Sequence, residues 1–427
     1  MQFIDARRLT GPNVLWNKPG AILDIACTPD EADALIPFCE ARLSKMLDAV
    51  GWGGESCSHR RLSGGLSIAF SAPIDALYSA SAINEWLWAC CDAEFNNADV
   101  PDFEATAADI RRAIDEEVNP ALLRLQQAAE EHGVAFLWDD DFVSVGHGAG
   151  SQTWPFRELP DPSDLDWSRY RDVPVGIVTG TNGKTTTVRI AKHILQAAGR
   201  NVGLSCTDYV SVNDNIIDRD DWSGPGGARM VLRQPNVDAA ILETARGGLL
   251  RRGLGIETAD AALITNIAED HIGDFGSRSL GELLDIKWVI SHATEAAGRL
   301  VLNADDRLLV GKAGEYTGEI VWFGLEPGNP VITGHVASGG TAYVYEAPNL
   351  VRRSGEALDV ICAAGEIPIA LDGAARHNIA NSLGAAALTE QLGLSLDEIR
   401  AGLRSMSAIP ARTPERGRSS FAPKSCI

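Results

Sequence analysis

The sequence predicts an α/β protein, a mostly parallel P-loop sheet with flanking helices, preceded by a smaller α+β domain. Three observations lead there. The β-branched run Val175-Gly176-Ile177-Val178-Thr179 passes directly into Gly180-Thr181-Asn182-Gly183-Lys184-Thr185-Thr186, a glycine turn that opens a helical stretch. Beyond it, short apolar runs alternate with helical segments, the pattern of strands joined by crossover helices. Before residue 150 the pattern is mixed and looser.

In chain order, Ala21–Ala26 and Leu66–Phe70 read as strands, and Asp75–Glu94 and Phe103–His132 as helices. In the second helical stretch Ile110, Ile114, Leu122, Leu123 and Leu125 form an apolar stripe, interrupted by Pro120, that suits core packing. Gly148–Pro155 leads into Pro160-Asp161-Pro162-Ser163-Asp164, a composition that reads as a linker. The expected organisation is therefore a first domain over 1–150, a linker over 151–172, a central domain over 173–408 and a disordered tail over 409–427. Within the central domain, strands are expected at 175–179, 239–243, 261–265 and 300–303. A helix should run to about Ala198. Ile320–Phe323 and Ala342–Tyr345 read as added antiparallel strands, followed by helices at 377–392 and 396–405.

Composition bounds the function. The 427 residues carry a formal net charge of −21, which argues against nucleic acid or an anionic membrane as the main partner. A phosphate site remains open, because it needs only a few local donors and cations. The eight cysteines include no Cys-x-x-Cys, so zinc-site spacing is absent and reduced thiols are expected. The N-terminus lacks the apolar run of a signal peptide. No stretch approaches the ~20 apolar residues that span a bilayer. Together these predict a cytoplasmic protein.

The turn at 180–186 carries the clearest chemistry. Glycines let backbone N–H groups close on a phosphate, and the helix behind them points its positive end at it. Lys184 suits the outer phosphates of ATP, and the Thr185 hydroxyl suits Mg²⁺. The general P-loop pattern wants a glycine where Val178 stands, so the string is a more specific variant. Glu243 closes another apolar strand and is expected in the same crevice, because ligands in open α/β sheets bind beyond the carboxyl ends of strands. A carboxylate there suits the metal that bridges phosphate oxygens. Thr265-Asn266-Ile267-Ala268-Glu269-Asp270-His271 brings a carboxylate and an imidazole to the end of a third strand.

Gly180–Thr186 and Thr265–His271 together resemble the Mur ligase family, and within it the ligase half of the cyanophycin synthetases. Glu243-Thr244-Ala245-Arg246-Gly247-Gly248-Leu249-Leu250-Arg251-Arg252-Gly253, Leu302-Asn303-Ala304-Asp305-Asp306 and Arg376-His377-Asn378-Ile379-Ala380-Asn381 extend the likeness. Arg8–Trp16 resembles in outline the opening domain of that subgroup, whose ATP-grasp domain has no counterpart between residues 150 and 172. The resemblance implies roles. Residues Gly180, Thr181, Asn182, Gly183, Lys184, Thr185 and Thr186, with Asn266, would hold ATP, and Asn378 would sit near the adenine. Thr185 and Glu243 would hold one Mg²⁺ and His271 a second. Lys287, 17 residues beyond Asp270 and flanked by Ile286 and Trp288, matches by spacing a lysine that family members often carry carbamylated. A solvated helix face explains Lys287 equally well.

Family members usually continue into a third domain that binds the amine. Here Pro410-Ala411-Arg412 stands where a Pro-Gly-Arg junction is expected, and the chain ends at Ile427. A truncated gene, a shifted frame or a partner subunit would each account for this. The expected reaction is phosphorylation of a carboxylate by ATP, followed by attack of an amine to give an amide, ADP and phosphate. The expected substrates are amino acids or peptide-like acids and amines, with a partner chain or self-association open. A small-molecule kinase and a non-catalytic ATP-binding subunit stay as alternatives. The Thr-Asn-x-x-x-Asp-His element and His377-Asn378 argue against the kinase.

Overall fold

The computed structural model describes residues 1–96, 98–269, 279–294 and 297–406. His271, Asp270 and the tail fall outside them.

The chain opens with an antiparallel sheet of β1 (Gln2–Leu9), β2 (Gly20–Ala26), β3 (Cys57–Leu62) and β4 (Gly65–Ser71), ordered β1-β2-β4-β3. Alternation along the strands gives the sheet two faces. Leu23, Ile25, Ile68 and Phe70 pack against α1 (Pro29–Ala49) and α2 (Leu77–Asn96). Leu9, Ile22 and Ala69 form a separate cluster on the other face. Helix α1 was not anticipated, although Thr28 and Glu31 form a capping box at its start. The stripe over 103–132 is two helices, α3 (Phe103–Glu117) and α4 (Pro120–Glu131). Pro120 stands at the first turn of α4, where its missing N–H costs nothing, and Asn119 caps that turn. A small sheet of β5 (Phe136–Trp138), β6 (Phe142–Val145) and β7 (Gln152–Pro155) follows. Its last strand lies inside the stretch read as a linker.

The main sheet has eleven strands among the described residues. They are β8 (Val175–Thr179), β9 (Val202–Ser205), β10 (Val210–Val212), β11 (Asn215–Asp218), β12 (Ala239–Glu243), β13 (Ala261–Ile264), β14 (Arg299–Asn303), β15 (Glu319–Gly324), β16 (Thr341–Glu346), β17 (Asn349–Ser354) and β18 (Ala357–Ala363), ordered β11-β10-β9-β12-β8-β13-β14-β15-β16-β17-β18. From β9 to β16 every neighbouring pair is parallel. This corrects the reading of 320–323 and 342–345 as antiparallel additions. Helix α10 (Pro330–Ala337) connects β15 to β16, and a crossover of this kind returns the chain in the same direction. Beyond β16 the pairing turns antiparallel, as it does at the other edge from β9 through β10 to β11.

One face of the sheet packs on α5 (Lys184–Ala197), α11 (Arg376–Gln391) and α12 (Leu396–Ser405) through Ile190, Ile194, Leu383 and Leu403. The other packs on α6 (Pro225–Leu232), α7 (Arg246–Arg252), α8 (Leu280–Trp288), α9 (Arg307–Lys312) and α10 through Val231, Leu249, Leu283, Leu309 and Ile332. The mostly parallel sheet with flanking helices is thus present. From β8 the chain builds outward to one side as far as β11 and returns to β12. It then crosses to the other side at β13, so the strand order reverses around β8. Such a switch point opens a crevice at the carboxyl ends of the strands. No helix among the described residues is long and apolar enough to cross a membrane.

The smaller sheets are tied to the main body by polar contacts. Arg7 Nε and Nη2 donate to Leu250 O on α7 at 3.1 and 2.9 Å, and Thr10 N donates to Arg252 O at 2.8 Å. After β6, Ala149 N donates to Val237 O at 2.8 Å and His147 N to Arg171 O at 3.1 Å. His147 is 2% exposed. Burial pushes its pKa down to about 4 against the upward pull of Asp260. Its unfolded value is about 6.5. The neutral ring therefore contributes stability that is fully present above pH 6.5 and is lost as pH falls from there toward 4. The expected loss is on the order of 1.4 kcal/mol per pH unit in that window. Urea unfolding at pH 7 and pH 5 should show a smaller pH-dependent drop for His147→Phe than for the parent chain.

Candidate functional site

The loop after β8 is shaped by two glycines. Gly180 has φ +145° and Gly183 φ +84°, values that side chains rarely tolerate. Space forbids a side chain as well. A Cβ on Gly180 would overlap Thr265 Oγ1, and one on Gly183 would overlap the Asn381 side chain. Gly183 is the N-cap of α5 and supplies no side-chain cap, so the first-turn N–H groups of α5 remain available to an anion.

The end of β13 holds this loop in place. Thr265 Oγ1 donates to Asn182 O at 2.6 Å. Asn266 takes both backbone polar groups of one loop residue: its Nδ2 donates to Asn182 O at 3.0 Å, and its Oδ1 accepts from Asn182 N at 3.0 Å. Thr181 N donates to Asn266 O at 2.8 Å. The Asn266 amide thus bonds to the loop backbone at the edge of a cleft that it also lines. Asn303 Nδ2 donates to Thr265 O at 2.9 Å, and Asp306 Oδ2 accepts from Ile267 N at 2.6 Å. The Asn-x-Asp-Asp string thus braces the brace.

Glu243 reaches the site from the neighbouring strand β12. It is 1% exposed. Its Oε1 accepts from Thr185 Oγ1 at 3.1 Å and from Thr207 Oγ1 at 2.7 Å, and its Oε2 from Thr207 N at 3.4 Å. Thr207 was missed, because the glycine in Val202–Ser205 hid the strand that delivers it. Lys184 Nζ donates to Thr181 O at 3.1 Å. Lys287 does not sit on a solvated helix face. It is 4% exposed, and its Nζ donates to Gly180 O at 2.8 Å.

Two clefts flank the loop. One, of about 570 Å³, is lined by Thr181, Lys184, Arg246, Arg251, Arg252 and Lys287, among others. Five cations around one cleft in a chain of net charge −21 make a focused positive site in an acidic surface. The other cleft, of about 290 Å³, is lined by Asn182, Thr186, Asn266 and by His377, Ala380, Asn381 and Gly384 of α11. Those four positions are spaced i, i+3, i+4 and i+7, one face of a helix. Asn378 is one residue out of step with that face. Its Nδ2 donates to Ile369 O at 2.8 Å, whereas His377 and Asn381 line the cleft. His271 lies outside the described residues. Among the described residues no group of three or more His, Cys, Asp or Glu side chains converges as a metal site.

Residues 178–389 match the Mur ligase middle-domain family. This region is similar to the middle domain of the Mur ligases. Among relatives, cyanophycin synthetase from Synechocystis sp. is 37% identical over 244 residues, covering 57% of this chain and 28% of that protein. The cyanophycin synthetase of Trichormus variabilis is 38% identical, with 57% and 27% covered. UDP-N-acetylmuramoyl-tripeptide–D-alanyl-D-alanine ligase of Escherichia coli is 29% identical over 255 residues, with 58% of this chain and 50% of that protein covered. The chain therefore spans between about a quarter and a half of these relatives' lengths.

The closeness of Gly180 to Thr265 sets a test. Gly180→Ala forces the loop and the β13 end apart in a backbone conformation that disfavours alanine. Denaturant unfolding should show a loss of about 1–3 kcal/mol, whereas Gly311→Ala, in open space on α9, should not destabilise the fold.

Proposed function

We propose that this chain is an ATP-dependent amide ligase that activates a carboxylate as an acyl phosphate and joins it to an amine. The observation that carries the reading is the cleft shared by Lys184 of the phosphate loop and by Arg246, Arg251 and Arg252 of α7. An ATPase needs cations only for the nucleotide. Three arginines on a neighbouring element suit a second anion beside the terminal phosphate, and guanidinium groups match carboxylates with paired N–H donors. The names of the relatives, all ligases, point the same way.

ATP would lie with its phosphates against the N–H groups of 181–186 and its base toward His377 and Asn381. Lys184 would turn from Thr181 O to the outer phosphates. The acid would place its carboxylate among the α7 arginines. A carboxylate oxygen attacks the γ-phosphorus and ADP leaves. The amine then attacks the acyl carbon, loses a proton, and expels phosphate that carries the former carboxylate oxygen. Lys184 and the arginines would offset the charge that develops during phosphoryl transfer. Holding acid and phosphate in one cleft removes much of the entropic barrier.

A divalent cation such as Mg²⁺ fits the residues present. The carboxylate and hydroxyl oxygens of Glu243 and Thr185 are hard donors, and Mg²⁺ is commonly held by one or two carboxylates together with substrate phosphates. When bound, the ion would neutralise phosphate charge. The chain's own part is to keep Glu243 buried and aimed by the Thr185 and Thr207 hydroxyls.

Lys184→Ala should weaken nucleotide binding by about 1.5–3 kcal/mol, roughly 10- to 150-fold in Kd, read by calorimetry. Equal affinity would remove the loop from the site. Glu243→Gln keeps the size of the side chain and removes its charge. ADP release stimulated by acid and amine should fall more steeply than nucleotide affinity, and the deficit should be largest at low Mg²⁺.

A further inference from the structure

A third pocket, of about 310 Å³, shares Arg251 with the cationic cleft. It separates the outer face of the first sheet from α7 and α8. Its walls are largely apolar: Leu9 and Ile22 from the sheet, Leu249 and Leu250 from α7, Ile286 from α8, and Val14 from the loop after β1. The charged groups at its edge are already matched to each other. Arg7 Nη1 donates to Asp24, whose other oxygen accepts from Ser67 Oγ at 2.6 Å. Arg60 Nη2 donates to Asp285 at 3.0 Å, and Glu282 Oε1 accepts from Ser63 N at 2.8 Å. The pocket therefore asks for an apolar guest.

We propose that this pocket binds the apolar portion of the acyl substrate, whose carboxylate lies beyond Arg251 in the cationic cleft. The proposal rests on the ligase reading above and names its substrate class: a carboxylic acid with an alkyl or aromatic group. Three features argue for this occupant. Arg251 lines both spaces, so one molecule can reach from the apolar walls to the arginines. The gap stands where the first sheet meets α7 and α8, and ligand pockets favour such junctions. The volume is about twice that of a ~150 Å³ cavity that takes benzene, which suits a group of up to indole size. The bonds from the Arg7 guanidinium to Leu250 O and from Thr10 N to Arg252 O fix the wall on the α7 side.

The test uses the full chain with Mg²⁺ and AMPPNP and titrates straight-chain carboxylates from butanoate to octanoate, with Kd read by saturation-transfer NMR. Affinity should tighten about three- to fourfold per added methylene until the pocket fills. Ile22→Phe and Val14→Trp should each flatten this dependence while AMPPNP affinity, measured by calorimetry, stays unchanged. Val14 lies on a loop and is half-buried, so its variant holds the test open should Ile22→Phe misfold. A flat chain-length series in the parent protein, or an equal slope in both variants, overturns the pocket assignment. Loss of AMPPNP binding in the parent protein would instead overturn the ligase reading, and the carboxylate series would still report on the pocket.

Discussion

The N–H and the C=O of Asn182 are both held by one side chain, that of Asn266, and the site depends on that clamp. A glycine-rich turn has little stiffness of its own, because glycine loses more conformational freedom on ordering than any other residue. Asn266 meets both the N–H and the C=O of Asn182, Thr265 adds a second bond to that carbonyl, and Lys287 takes the carbonyl of Gly180. Each bond is worth only about 1 kcal/mol on its own, but together they fix a loop whose N–H groups must already be aimed when a phosphate arrives. Preorganised dipoles of this kind cost no reorganisation during reaction.

The parallel sheet makes the clamp available. Because β8 lies between β12 and β13, the phosphate loop, Glu243 and Thr265 leave adjacent strands at the same edge. Register finishes the placement: Glu243 pairs with Val178, and Ile264 with Thr179. The carboxylate thus lands beside Thr185 on one side of the loop, and the Thr265–Asn266 pair on the other. The helices behind the sheet add the charge. Helix α7 follows Glu243 directly and carries its arginines to the cleft, while α8 carries Lys287. The first sheet holds α7 by its carbonyl ends, which links the opening segment of the chain to the electrostatics of the site.

Much of this was legible in the sequence, because local chemistry and the fold agree there. Val175–Thr179 followed by Gly-Thr-Asn-Gly-Lys-Thr-Thr has one structural reading, and Glu243 at a strand end was placed by the general rule for open sheets. Side-chain direction was harder to read. Asn266 and Asn378 both stand in segments that border the cleft beside the loop. The first turns back onto the loop and the second onto Ile369 O, whereas the helix face spaced 377, 380, 381 and 384 lines the cleft. The direction of β15 and β16 was misread because α10 is short, although Asn329-Pro330 marks its start. Thr207 and the capping residues of α1 were passed over where glycine or proline obscured the periodicity. The pocket behind Arg251 was beyond sequence reasoning altogether, since residues 4 to 286 meet there only in the fold.

The central claim is that phosphate loop and arginine cleft together serve one phosphoryl transfer from ATP to a carboxylate. The most direct measurement takes an acid that supports ADP release and labels its carboxylate with ¹⁸O. The released phosphate is then examined by ³¹P NMR after reaction with ATP and amine. The account predicts one ¹⁸O atom in the phosphate for each amide formed, because the carboxylate oxygen leaves with phosphorus. Phosphate whose added oxygen comes only from solvent water would contradict it and would make the site that of a hydrolase.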